Sequence, residues 1–183
     1  MKLIEFDGME FKLADEALLI RPIRQLFEKD KSKKKEDFWQ QISYLWFMCD
    51  PRSTYQYLVN EEDRANEIKK LEGFPEDWQP SELLQEAMNV YRQQTTTTAS
   101  LLLEGMRKGI ENVRMFLAEV NLFAVDEKTQ KPLYQVSTIT SALKQIPELA
   151  KALVDAEKAL AKDFDTEDSA RGNAEKSAFE DEF

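Results

Sequence analysis

The 183-residue sequence predicts a mainly α fold: a helical bundle with one long central helix, a small N-terminal β-hairpin and an extended acidic C-terminal tail. Three observations lead there. Between residues 15 and 160, apolar side chains recur chiefly at spacings of three and four, the period of an amphipathic helix. Alternation with period two is confined to residues 2–13, around an Asp7-Gly8 step. From Asp163 onward eight acids stand against Arg171 and Lys176, so a net −6 of the chain's −10 lies in its last segment. The expected organisation is one helical domain, 1–164, with 1–13 as a hairpin arm and 165–183 as the tail.

In the hairpin Leu3, Phe6, Met9, Phe11 and Leu13 are the apolar members. Asp-Gly suits the positive-φ positions of a type I′ turn, which predicts a tight two-residue connection. A lone hairpin is marginal in water, so this one must pack on something. Helical pattern starts near Asp15 and Glu16, and Pro22 either breaks it or opens a fresh turn through Ile23, Leu26 and Phe27. Lys29, Lys31, Lys33, Lys34 and Lys35 read as a solvated loop or helix start. A helix is predicted over about 34–49, with Phe38, Ile42, Leu45 or Trp46, and Cys49 on its apolar face. It ends at Asp50-Pro51 because proline excludes the α conformation from the residue before it. Asn60 is a good N-cap, followed by Glu61, Glu62 and Asp63 in the first turn of a short helix that ends at Gly73. The aromatic link Phe74–Pro80 is expected to be pinned to the core.

From Leu84 to Val120 one apolar stripe keeps its phase for ten helical turns, across Thr95-Thr96-Thr97-Thr98. This predicts a continuous helix over 81–124; the alternative is two helices hinged at the threonines, whose β-branched side chains disfavour a helix interior. Gly105 and Gly109 form a G-x-x-x-G, a weak sign of close backbone approach in a soluble chain. Residues 123–136 read as extended chain, turn and return. Ser137 or Thr138 is expected to cap a last helix striped by Ile139, Leu143, Ile146, Leu149 or Ala150, Leu153 and Leu160, with a kink at Pro147.

Composition narrows the chemistry. The chain has no histidine and one cysteine, Cys49. Histidine-dependent nucleophile systems, His-ligated metal sites, internal disulfides and multi-thiolate clusters are therefore excluded for this sequence. Asp50, Glu61, Glu62, Asp63 and Glu67 offer oxygens for Mg²⁺, but acids after an N-cap suit the helix dipole first. No catalytic, cofactor or metal residue is assigned, and a non-enzymatic role is expected. An acid excess argues against general nucleic-acid binding. No run of about 18 apolar residues is present, and Met1-Lys2-Leu3-Ile4 runs into Glu5 and Asp7 without an apolar leader, so a soluble protein of a reducing compartment is expected. Phe6 and Phe11 in the arm, and Phe179 and Phe183 in the acidic tail, are the candidate partner-docking residues.

Several segments together resemble small structural virion proteins of tailed bacteriophages, especially the crAss-like phages of gut bacteria. They are Leu3–Gly8, Ala17–Ile23, Glu28–Ser32, Ile42–Tyr55, Glu61–Arg64, Thr140–Pro147 and Ser169–Asn173, alike in order and spacing over nearly the whole chain. The resemblance brings no catalytic motif. It implies a head-to-tail neck adaptor, a subunit of a homo-oligomeric ring, twelvefold in expectation, seated on the portal protein beside other neck and tail proteins. DNA would be passing cargo only, and no membrane would be involved. The protein would be made in the bacterial cytoplasm and reside in the virion neck. A portal-vertex or capsid auxiliary protein, and a small regulatory protein binding a host factor, are the alternatives.

Overall fold

The computed structural model describes residues 3–75, 77–121, 123–125 and 131–170. The fold is mainly α, with six α-helices and one two-stranded sheet among these residues. Strands β1 (Ile4–Phe6) and β2 (Phe11–Leu13) pair antiparallel, Ile4 with Leu13 and Phe6 with Phe11. Beyond Phe6 and Phe11 the Asp7 N–H bonds to the Glu10 carbonyl at 3.3 Å, so the tip of the hairpin is Gly8-Met9 and not the expected Asp7-Gly8. The physical reason is the Asp7 side chain. Its Oδ1 accepts from the N–H groups of Met9 and Glu10 at 3.0 and 2.9 Å, while Gly8 alone takes a positive φ, +94°.

Asp15–Leu19 form a 3-10 turn, and α1 (Arg21–Lys29) begins anew with Pro22 in its first turn. Next is α2 (Glu36–Cys49), the most buried helix: Phe38, Ile42, Tyr44 and every residue from Leu45 to Cys49 are buried. It stops at Asp50, ahead of Pro51, as the proline rule requires. A 3-10 turn at Thr54–Tyr57 leads to α3 (Glu61–Leu71), where the Asn60 side chain accepts from Glu62 and Asp63 N–H groups. At the other end Gly73 adopts φ +72° and the Phe74 N–H bonds back to the Lys69 carbonyl, a Schellman closure. Phe74 and Trp78 then close on Tyr44, with ring centroids 4.7–5.5 Å apart.

The 81–124 stripe is two helices, α4 (Glu82–Thr95) and α5 (Thr98–Glu119), not one. Thr96 leaves the helical conformation at ψ 121°. The hydroxyls of Thr95 and Thr96 bond to the carbonyls of Tyr91 and Arg92, so the side chains compete for the helix's own acceptors where β-branching already costs it. The long helix lies further on: α6 (Val136–Ala170) has 35 residues and runs through Pro147. At 1.5 Å per residue it is about 52 Å long. It starts two or three residues earlier than the expected cap at Ser137 or Thr138: Thr138 and Ile139 N–H groups bond to the Gln135 carbonyl. In the preceding return Val125 and Pro132 form an antiparallel bridge, and the turn at 126–130 lies outside the described residues.

The chain forms two compact units, one of residues up to Thr97 with those from Ala161, the other Thr98–Leu160. In the first, α2 packs on α3 and α4, and α1 on α4. Its core holds Leu3, Ile23, Leu26, Phe38, Ile42, Leu45, Ile68, Leu84 and Tyr91, with the hairpin rings laid against it. In the second, α5 and α6 run antiparallel, joined through Phe116 on Tyr134 (5.5 Å between centroids) and Arg107 on Glu157 (2.9 Å).

Candidate functional site

The densest polar arrangement stands at the C-terminal end of α2, where Asp50-Pro51-Arg52-Ser53 leaves the helix. Asp50 is fully buried. Arg52 grips it bidentately, Nε to Oδ1 at 2.8 Å and Nη2 to Oδ2 at 2.7 Å, and the Arg52 N–H adds a third bond at 2.9 Å. The hydroxyl of Tyr91, on α4, donates to Oδ2 at 2.6 Å. Burial and then the Asp50 charge push the Tyr91 hydroxyl well above its ordinary pKa, which fixes it as a donor. Arg52 Nη2 also donates to the Ile4 carbonyl of β1 at 2.8 Å, and its guanidinium lies 4.8 Å from the Phe164 ring of α6. One ion pair thus ties the hairpin, α2, α4 and the end of α6 together. Around it, Ser53 Oγ donates to the Phe47 carbonyl, Gln56 to the carbonyls of Met48 and Asp50, and Arg64 to those of Met48 and Leu58. The last turn of α2 thereby receives donors for carbonyls that the helix itself leaves open.

This arrangement is a clasp and not a reaction centre. Its carboxylate has four bonds to fixed partners and no open coordination, and the charges cancel in place. Of the other acids considered for Mg²⁺, Glu61 pairs with Arg92 at 3.2 Å, while Glu62 and Asp63 sit exposed in the first turn of α3. Among the described residues no three acids or cysteines converge as a metal site. Cys49 is buried on the α2 face, and burial pushes its thiol up to about 11, so it packs as a small apolar side chain.

Of the four docking candidates, the fold brings Phe6 and Phe11 together. Their rings stack at 4.5 Å, and both meet Trp46 and Phe47 at 5.2–5.8 Å. Both rings are half-buried. Phe179 and Phe183 lie outside the described residues. Beside the hairpin a shallow groove of about 280 Å³ is lined by Glu5, Phe6, Asp7, Lys12, Trp46 and Arg52. A second, of about 370 Å³, lies between Leu26, Lys29, Asp37 and Trp78.

The lysine cluster divides by role. Lys29, Lys31, Lys33 and Lys34 are exposed, whereas Lys35 is structural. Its backbone is left-handed at φ 55°, and its ammonium donates to the Phe27 carbonyl at 3.0 Å and to the Asp30 carbonyl, over the Phe27 ring. Asp30 then caps α2 from outside the helix, accepting from Phe38 N–H at 3.0 Å and Ser32 N–H at 2.8 Å. Burial raises the Asp30 carboxyl, but those N–H groups, the Ser32 hydroxyl and Lys35 overcome it and hold it below the ordinary value.

Sequence reading missed the clasp. Asp50 reads as a helix stop, and nothing in the local spacing connects it with Tyr91, 41 residues on. The available signal was an acid and an arginine two residues apart at the end of a helix whose last residues, Tyr44 to Cys49, are all apolar or aromatic, a place where a charge needs a partner. It did not place the exposed apolar side chains of the second unit either. There the described helices leave Leu101, Leu102, Met115 and Phe116 of α5 and Leu143, Ile146, Leu149 and Val154 of α6 between 37% and 62% exposed. No protein-family model matches the chain, and no curated protein or solved structure matches it either.

Proposed function

We propose that the protein is a structural subunit of a tailed-phage virion, a neck adaptor that assembles with copies of itself as a ring on the portal. The observation that carries the assembly part is the apolar surface of α5 and α6. Eight large apolar side chains of a two-helix unit are exposed in a single copy, and apolar surface left open in that number marks an interaction site. The place in the particle is supported by the sequence resemblance. The clasp at Asp50 supports the same reading from the other side: the charged network of this chain is spent on holding the first unit rigid, as a body that presents surfaces needs.

Mass spectrometry of purified particles tests the reading. The protein is expected among the virion components in a copy number that matches a ring, with cryo-electron microscopy placing that ring on the portal. A particle that lacks the protein would overturn it. Removal of 165–183 tests the tail separately, and assembly onto portals is expected to fall.

A further inference from the structure

Arg52 joins the hairpin arm to the end of α6, and its guanidinium gives its edge and its face to different partners. Along the edge, Nε and Nη2 hold the Asp50 carboxylate at 2.8 and 2.7 Å, and Nη2 also donates to the Ile4 carbonyl of β1 at 2.8 Å. The face lies over the Phe164 ring, 4.8 Å from its centroid. The Arg52 side chain is 21% exposed, and with Phe6 and Trp46 it lines the groove beside the hairpin.

The hold on α6 at this end is narrow. Past Leu160, the described side chains Ala161, Lys162, Asp163 and Thr166 are exposed, and Phe164 alone is buried, at 2%. Among the described residues no ion pair joins this stretch to another element. The Thr166 hydroxyl bonds back to the Lys162 and Asp163 carbonyls of α6 itself, at 2.9 and 3.0 Å. Attachment through the described side chains therefore rests on the seating of one ring. A cation over a ring is held more strongly when water is kept out. A guanidinium face covered by that ring sees less water in turn, which strengthens the hydrogen bonds along its edge. Lifting the ring wets the face and weakens the bond to Ile4, and freeing the arm loosens the guanidinium on which the ring is seated.

We propose that the end of α6 is a strap with two positions, seated and lifted, and that Phe164 on Arg52 couples its position to the order of the hairpin arm. A seated strap holds the arm and one wall of its groove; a lifted strap loosens both. The acidic segment 165–183 follows Phe164 directly in the sequence, so a pull on that segment reaches the arm through Arg52. Such coupling is reciprocal: whatever fixes the arm seats the strap by the same factor. The device works inside a single copy, so it stands or falls separately from the proposed assembly.

Amide hydrogen exchange of the full-length chain in dilute solution tests it, read over the arm (4–14), the end of α6 (161–170) and α2 as the reference. Phe164→Ala is expected to speed exchange at the end of α6 by at least about tenfold, the loss of one buried ring. Exchange in the arm should rise by about threefold to thirtyfold, the worth of one cation–π contact, with α2 unchanged. If α2 speeds up as well, the variant has lost global stability, and Phe164→Leu, which keeps apolar bulk without the ring, replaces it with the same expectation for the arm. In the reverse direction Phe11→Ala, which loosens the arm at Trp46 and Phe47, is expected to speed exchange at the end of α6. An arm that keeps its wild-type exchange while the end of α6 is freed, or an α6 end indifferent to Phe11→Ala, would break the coupling. An α6 end that exchanges no faster in Phe164→Ala would overturn the strap itself.

Discussion

Asp50 is the residue whose loss the molecule should feel most. Replacing one member of a buried ion pair leaves the other uncompensated, so Asp50→Ala is expected to cost about 3–5 kcal/mol. Tyr91→Phe removes one hydrogen bond to a charged acceptor and should cost about 1.5–3 kcal/mol. Urea unfolding of the three proteins measures both, and Asp50→Ala combined with Tyr91→Phe should cost less than the sum, because the two side chains share one interaction. Asp30 gives the pH-dependent counterpart. Its folded-state pKa lies below the ordinary value, so its stabilisation is complete above that value and is lost as pH falls through the folded pKa. The difference in unfolding midpoint between wild type and Asp30→Asn should therefore be flat above about pH 5 and shrink between about pH 4 and 2. A difference that grew on acidification would contradict the cap geometry.

At the scale of elements, α2 and α3 follow local rules that can be read directly: Pro51 stops one, Asn60 starts the other and Gly73 closes it. The stripe from Leu84 to Val120 followed a rule as well, but periodicity reports only which face is apolar and carries no information on whether the backbone is continuous. Thr96 and Thr97 interrupt it with no loss of phase. The opposite holds in α6, where Pro147 sits inside a helix that continues on both sides. A proline there removes one backbone bond and crowds the preceding turn, at about 3 kcal/mol. Pro147→Ala is accordingly expected to raise the thermal midpoint of α6 unfolding and to slow amide exchange over the turn that ends at that position. Unchanged exchange would mean that the helix is already open there.

For the whole molecule, the contrast is between a first unit with a closed aromatic and aliphatic core and a second unit in which few side chains are covered. Core burial sets local opening free energy. In dilute protein, amides of α2 are expected to exchange slowest, and those of α5 and of α6 up to Leu160 orders of magnitude faster. In the assembled state the protection should rise in α5 and α6 and stay level in α2. Uniform protection in the dilute chain would remove the reason for assigning assembly to the second unit.

By itself, the sequence determined the helical class, the arm, most helix ends and the absence of histidine chemistry, because those depend on period, caps and composition within a few residues. The half-burial of Phe6 and Phe11 and the four-residue turn under them depend on where Trp46 and Phe47 stand and on an Asp7 side chain that bonds its own backbone. Tertiary structure alone decided that Asp50 is the centre of a clasp, since its partners come from α4 and its own loop and Arg52 reaches on from it to β1. It also decided which positions of the α6 stripe are covered. A stripe records what a helix is able to bury, and only the packing records what remains for a neighbour.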